Sequence, residues 1–326
     1  MKTHWLKWSH GEAAVVYTAA TVTDCTFTLP NGTLQPFARA PWIGRVTDPK
    51  ISGHLRVLSG DFVGLPFGTG RPLPDAAPAE WKALGPTTAV PMIHGASADR
   101  DWTIVEGDDS HVVLRLDYDA DSPVDYLVRE IRVRPGVPAL DFTLTIHAKR
   151  TASVSLGLHP NLRMPETPGR LELTADFAFG LTHPGQTPAG TPQEFSSLKA
   201  VPKGNETVDM SHVPLSPRTD KNIMMCGMKG PLKAVWLDEG AGIELDWDRT
   251  LVPSLMFWHT DGGIGGEPWN GSFRALGTEP IASAFDLHTD LSAGPNPINK
   301  RGVKTSIDID PKAPVVVRHS IRGFAA

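Results

Sequence analysis

The dominant pattern along the chain is a two-residue alternation of apolar and polar positions, and it is strongest between residues 111 and 159. Val112, Leu114, Leu116 and Tyr118 alternate with His111, Val113, Arg115 and Asp117. In the next run Leu127, Arg129, Ile131 and Val133 share one face, with Val128, Glu130 and Arg132 on the other. Beyond Pro135-Gly136, Leu140, Phe142, Leu144 and Ile146 alternate with Asp141, Thr143, Thr145 and His147. Successive strand side chains point to opposite faces, so each run predicts a strand with one face to a core. Short turns between consecutive runs predict an antiparallel meander.

The stretch Thr151 to Glu166, TASVSLGLHPNLRMPE, extends this pattern. Val154, Leu156 and Leu158 form an apolar face; Ser153, Ser155, Gly157 and His159 lie opposite. Pro160 has no amide hydrogen, so the ladder weakens where His159 is presented. A histidine ending a row of small side chains predicts either a ligand groove or a solvated strand face.

Further strands are predicted in residues 11–45, broken by Pro30-Asn31-Gly32 and Pro41, and over Leu171–Phe179. Others follow at Ala234–Leu237, Ile243–Trp247, Ser254–Trp258, Ala275–Glu279, Thr305–Ile309 and Val315–Ile321. The continuously apolar Leu255-Met256-Phe257-Trp258 predicts a strand covered on both faces. Residues 60–102 read as loop-rich, and residues 181–222, polar and rich in proline, as an excursion across the surface. Thirty prolines and 31 glycines punctuate short extended runs, and helical periodicity is scarce. The prediction is an all-β chain of well over ten strands, one large sandwich in a single domain spanning 1–326, with no helix beyond a few turns.

Composition narrows the function. A chain of 326 residues can bury a large core. The net charge of −5 is scattered, which gives no electrostatic case for nucleic acid or an anionic membrane. Cys25 and Cys226 lie far apart and make no metal or redox spacing. The N-terminus has no apolar h-region and no run approaches membrane-spanning length, so a soluble, cytoplasmic protein is expected. HExxH, GxSxG, Walker and CxxC motifs are absent. Gly262–Gly266 is followed by Pro268 and Trp269, not by a helix, and reads as a loop rimming a site, not a phosphate cradle.

Three places could carry chemistry. His94 stands beside Gly95 in the loop-rich stretch, with Arg100 and Trp102 downstream; His159 precedes Pro160; Glu279 ends a strand before Pro280. Each has an ordinary alternative as a hydrogen-bonded loop histidine, a surface histidine or a solvated glutamate. Arg71 either binds a ligand or pairs with a carboxylate such as Asp75. Trp258 and Trp269 either fill the core or stack on a sugar.

In order along the chain, GDFVGLPFG, HGASADRDW, REIRVRPGVPALDFTLTI, LGLHPNLRMP, LMFW and ALGTEPIAS resemble the aldose 1-epimerases, the galactose mutarotases, from about Gly60 to about Ser283. The resemblance implies the galactose mutarotase-like fold, a large antiparallel β super-sandwich with a sugar site in an open groove. It implies His159 as general acid, Glu279 as general base and His94 as the histidine near the sugar's ring oxygen. Arg71 and Arg100 fall near where the family places substrate-binding arginines. Ala96 and Asn161 replace aromatic residues usual after HG and HP, which leaves the sugar open. The implied reaction interconverts the α and β anomers of a small carbohydrate with no metal or other cofactor. Alternatives on the same fold are a hexose-6-phosphate 1-epimerase, which needs a cationic cluster drawn from Arg71, Arg100 and Arg274, and a lyase or isomerase of a modified sugar. A non-catalytic carbohydrate-binding protein is the remaining class. Oligomeric state is not readable from the sequence.

Overall fold

The computed structural model describes residues 2–70, 73–82, 92–187, 189–216 and 218–326. The all-β expectation holds: every described strand pairing is antiparallel, and the longest described helices, Gly95–Asp99 and Thr289–Ala293, have five residues each. The predicted meander is present as His111–Asp117, Val124–Val133 and Ala139–Ala148, each paired with the next. These strands belong to a nine-stranded sheet that continues through Val315–Ala325 and Ala241–Trp247 to Leu171–Thr174 and its edge strand.

An eight-stranded sheet lies against it. Its centre is Arg274–Ala282, flanked by Ser254–Asp261 on one side and by Leu156–Leu158 and Asn161–Arg163 on the other. Leu144 and Ile321 from one sheet share a buried apolar cluster with Leu255, Phe257 and Leu276 from the other. The opposite face of the eight-stranded sheet is also covered. There Met224, Met256 and Ile281 pack with Phe67 and Phe285, which explains the uninterrupted apolar run at residues 255–258. A four-stranded sheet of residues 3–34 contributes Leu6, Val15 and Phe27 to the main cluster.

Several boundaries differ from expectation. The run 151–159 is two strands: Ala152–Val154 pairs with Ile307–Ile309, whereas Leu156–Leu158 joins the eight-stranded sheet. The switch occurs at buried Ser155, whose hydroxyl donates to the Phe67 carbonyl at 2.7 Å. Ser153 is exposed, but from Ser155 onward the small-residue face is neither solvated nor vacant, because Phe67 lies so close to Gly157 that a Cβ there would collide with its ring. Leu171–Phe179 is also split. The chain leaves the nine-stranded sheet after Thr174 and enters the eight-stranded sheet at Phe177. Within the polar stretch 181–222, Phe195, Leu198, Val201 and Met210 are buried in the main cluster, so this segment packs instead of only crossing the surface.

One charged group sits on the core face of the meander. Arg129 is 1% exposed and donates to Asp61, which is also buried, and to the Ala20 carbonyl at 2.7 Å. His319 approaches the same Asp61 oxygen at 3.1 Å. Burial alone would raise the Asp61 carboxyl, yet Arg129 and His319 together hold it below the ordinary value. Breaking such a buried set leaves a charge unpaired in the interior. Arg129→Met is therefore expected to cost about 3–5 kcal/mol in urea unfolding. Arg39→Ala, which removes the half-exposed partner of Asp24, is expected to cost no more than about 1 kcal/mol.

Candidate active site

Two prolines set the position of the site. Arg274–Ala282 pairs with Asn161–Arg163 through Ala275–Gly277 and with Leu156–Gly157 through Ile281–Ala282. Between those ladders lie His159-Pro160 on one strand and Glu279-Pro280 on the other. Neither proline can donate, so the ladder opens where the histidine and the glutamate stand. The edges of the gap are pinned: Thr278 donates its amide to the Pro160 carbonyl at 2.7 Å, and His159 donates its amide to the Phe62 carbonyl at 2.9 Å. Met256 stands opposite Glu279 in the other ladder, and Gly277 leaves space beside the carboxylate, since a Cβ there would lie 2.7 Å from Glu279 Oε1.

Each histidine is backed by a phenylalanine of the segment GDFVGLPFG. His159 stacks on Phe62 with ring centroids 4.4 Å apart, and His94 stacks on Phe67 at 4.5 Å. The two imidazoles meet edge to face at 5.4 Å. His94 adopts a left-handed backbone, φ 59°, and donates its amide to the Gly68 carbonyl at 2.8 Å. Gly95, also left-handed, lies so tight against the Leu65 carbonyl that a side chain would collide with it. The His-Gly pair is thus a turn folded over the Leu65–Gly68 strap. A third histidine, His54, lies 5.5 Å from His94 in the Gly53–Arg56 helix. Its Nδ1 is 3.0 Å from the Ser52 hydroxyl, which donates to Asp99.

His159 Nε2 and Glu279 Oε1 are 3.3 Å apart, and both side chains are buried. The contact is close but lacks hydrogen-bond alignment: neither Glu279 oxygen, nor His159 Nδ1, has a hydrogen-bond partner among the described residues. Buried polar groups are almost always satisfied, so an unsatisfied carboxyl beside an unsatisfied imidazole marks this place as a candidate functional site. Burial pushes the Glu279 carboxyl well above the usual range, and the Asp286 charge pushes it the same way. Burial pulls His159 down to about 3, with His54 acting in the same direction. Burial thus favours the neutral form of both groups.

Both groups line a pocket that also takes in His54, His94, Thr69, Asn222 and Asp286. Its other wall is apolar, formed by Leu55, Leu58, Met256 and Ile264, the last from the predicted glycine-rich rim loop, and by Trp258 and Trp269. The two tryptophans meet edge to face at 5.7 Å, and Trp42 packs on Trp269 at 5.2 Å. His94, His159, Glu279, Trp258 and Trp269, separate in the sequence, thus share one pocket. Arg100 does not line it. Its guanidinium makes a two-pronged pair with the exposed carboxylate of Asp119, so the charge that a substrate would need is already engaged. Arg274 is likewise held by Asp261 and, at 2.7 Å, by Glu166. Arg71 lies outside the described residues. His54, Asn222 and Asp286 were not singled out from sequence, because no alternation or flanking proline marks them. Among the described residues, no three or more His, Cys, Asp or Glu side chains are arranged to hold a metal ion, and no helix is long and apolar enough to cross a membrane.

No family model matches the chain, and no curated protein matches it by sequence. Its likeness to solved structures extends over the whole length. A provisionally assigned aldose 1-epimerase from Escherichia coli K12 superposes with a TM-score of 0.68 at 14% identity, covering 100% of this chain and 99% of the other. A galactose mutarotase-like protein from Clostridium acetobutylicum gives 0.65 at 12%, covering 100% and 98%. The GalM/aldose epimerase homologue from C. elegans gives 0.61 at 13%, covering 100% and 99%. With two large antiparallel sheets and a pocket opened at paired His-Pro and Glu-Pro breaks, this chain has the galactose mutarotase-like fold.

Proposed function

We propose that the protein is an aldose 1-epimerase-type isomerase that opens and recloses the ring of a free sugar, with Glu279 and His159 exchanging the protons. The observation that carries this reading is the pair itself: two buried, unsatisfied acid–base groups 3.3 Å apart in an aromatic-walled pocket.

Anomerisation needs a proton removed from the C1 hydroxyl while another is delivered to the ring oxygen. The single proton of the pair suffices. In the empty site burial keeps it on Glu279. Sugar hydroxyls that donate to Glu279 favour its carboxylate, and the proton moves to His159. Glu279 then takes the C1 hydroxyl proton, His159 protonates the ring oxygen, and the bond from C1 to that oxygen breaks. The open-chain aldehyde thus sits beside the same protonation state as the empty enzyme, a neutral carboxyl and a neutral imidazole. After rotation about C1–C2, the ring oxygen attacks the other face of C1. Its proton returns to His159 as Glu279 protonates the carbonyl oxygen. His94 would orient the ring oxygen, and Trp258 and Trp269 would take the apolar sugar face.

Of the cationic cluster that a sugar-phosphate reading draws on, Arg100 and Arg274 are committed to carboxylates away from the pocket lining, and Arg71 lies outside the described residues. A purely binding role would give no reason to bury an unpartnered carboxyl.

Glu279→Gln is expected to lower kcat for free aldoses by about 10²–10⁴-fold in a polarimetric or NMR assay, with sugar affinity nearly kept. His159→Asn is expected to lose as much. The double variant should be little worse than either, because the two act on one transfer. Near-wild-type anomerisation by Glu279→Gln would falsify the reading.

The pH dependence follows from proton counting. The one-proton pair persists from about pH 3, where His159 titrates, up to the raised value of Glu279. The enzymatic kcat/KM is therefore expected to fall as pH rises through the raised Glu279 value and the shared proton is lost. A profile that rises through neutrality would instead mean that Glu279 must be ionised before substrate arrives.

Stability is expected to fall in the same direction. The Glu279 value is raised on folding, so its contribution is fully present below about pH 4.5 and is lost as pH rises through the folded value. Thermal melts of Glu279→Gln should match or exceed those of the wild type, by a margin that grows with pH.

A further inference from the structure

We propose that His54 selects one particular sugar hydroxyl in this pocket, accepting it at Nε2, and that Asp99 and Ser52 are its positioning residues. The inference rests on the sugar reading above and deepens it.

His54 is presented by a clamp between two short helices. Asp99 closes the Gly95–Asp99 helix that follows His94. One of its carboxylate oxygens takes the Gly53 amide at 2.7 Å and the Ser52 hydroxyl at 2.9 Å. The approach is tight: a Cβ on Gly53 would lie 1.9 Å from the Asp99 carbonyl oxygen, so no side chain fits ahead of His54. The Gly53–Arg56 helix thus starts on Asp99, and His54 within it is 4% exposed. Phe62 lies behind the ring with centroids 5.3 Å apart, the same side chain on which His159 stacks.

The clamp also fixes the ring proton. A carboxylate oxygen only accepts, so the single hydroxyl hydrogen of Ser52 goes to Asp99. His54 Nδ1 stands 3.0 Å from the same hydroxyl oxygen, and that contact is a hydrogen bond only when Nδ1 carries the proton. Nε2 is then a bare acceptor, the polar atom that the ring has left for the pocket it lines. Burial holds the imidazole down to about 4, against the pull of Asp99 and the Ala98 carbonyl toward the charged form. Near neutrality the ring is therefore uncharged. It can accept a hydroxyl, but it can neither donate from Nε2 nor attract an anion. Its neutrality also serves its neighbour, because a charged His54 would oppose protonation of His159. A sugar offers several hydroxyls around one ring, and a fixed acceptor discriminates by position between a hydroxyl and its absence.

The test uses the full-length protein with D-glucose, D-galactose and the monodeoxy analogues of each, affinity being read by calorimetry and turnover by NMR. His54→Phe, which keeps a flat ring without the acceptor, is expected to weaken the better-bound parent sugar about ten-fold, with the loss in KM and little in kcat. One deoxy analogue should bind the wild type about ten-fold more weakly than its parent and be indifferent to His54→Phe; that analogue names the hydroxyl. His54→Gln, whose amide oxygen can stand near the place of Nε2, should bring the parent sugar back to within about three-fold. Imidazole ¹⁵N NMR of the sugar-free protein should show His54 protonated at Nδ1 in the wild type. Ser52→Ala, which removes the acceptor at Nδ1, should bring in an Nε2-protonated fraction and lower the affinity in proportion. A Ser52→Ala variant that only melts earlier, with the tautomer unchanged, overturns the positioning role. A wild-type His54 protonated at Nε2, donating to the Ala98 carbonyl, overturns the inference. So does a His54→Phe protein that binds every analogue as the wild type does, or weakens them all alike. In those cases continued anomerisation by the wild type leaves the acid–base pair standing. A wild type that shows this deoxy signature without anomerising the sugar keeps His54 in its role and defeats the proposed reaction. A wild type that binds no neutral aldose defeats both.

Discussion

A negative charge buried where the sheets meet governs the placement of everything around it. Asp61 has no exposed surface, and a carboxylate there is tolerable only with partners. Arg129 reaches it from the meander and His319 from the neighbouring strand of the same nine-stranded sheet. Asp61 also exchanges backbone hydrogen bonds with Val22 of the N-terminal sheet. The residue that follows, Phe62, accepts the His159 amide and carries the His159 ring on its face. The ion cluster in the core thus helps to set the position of the imidazole from behind the pocket.

The site itself exchanges stability for chemistry. Two strands that could have paired continuously are kept apart by Pro160 and Pro280, and the gap holds a carboxyl and an imidazole with polar atoms left unpartnered. An apolar pair of similar size would pack there without that cost. Burial then does what the proposed acid–base reaction would require: it disfavours both charged forms of the pair. The aromatic backing of the two histidines limits their rotation without supplying a hydrogen bond that would compete with a substrate.

Much of this was legible in the order of residues, and specific misses show what was not. Alternation along one strand reports only which face it buries, so the meander and the strands bearing Met256 and Glu279 could be read directly. The same local signal could not reveal that residues 151–159 serve two sheets, because the partner strand is chosen by segments more than a hundred residues away. Phe67 filling the space over Gly157 is likewise a long-range contact with no local trace. Arg100 stands near His94 in the sequence, yet its partner Asp119 lies beyond two strands and the turn between them.

What the sequence by itself determined is therefore the class of the fold and the breaks in it: periodicity dictates strands, and a proline after His159 and another after Glu279 dictate where a ladder fails. What only the tertiary structure decided is the company those residues keep. His54, Asn222 and Asp286 carry no pattern of their own, and antiparallel pairing and a left-handed turn at Phe285 bring them to one pocket. Backbone hydrogen bonding repeats every two residues and can be read one strand at a time. The electrostatics of a buried pocket depend on groups converging through space, and no one-dimensional period records that convergence.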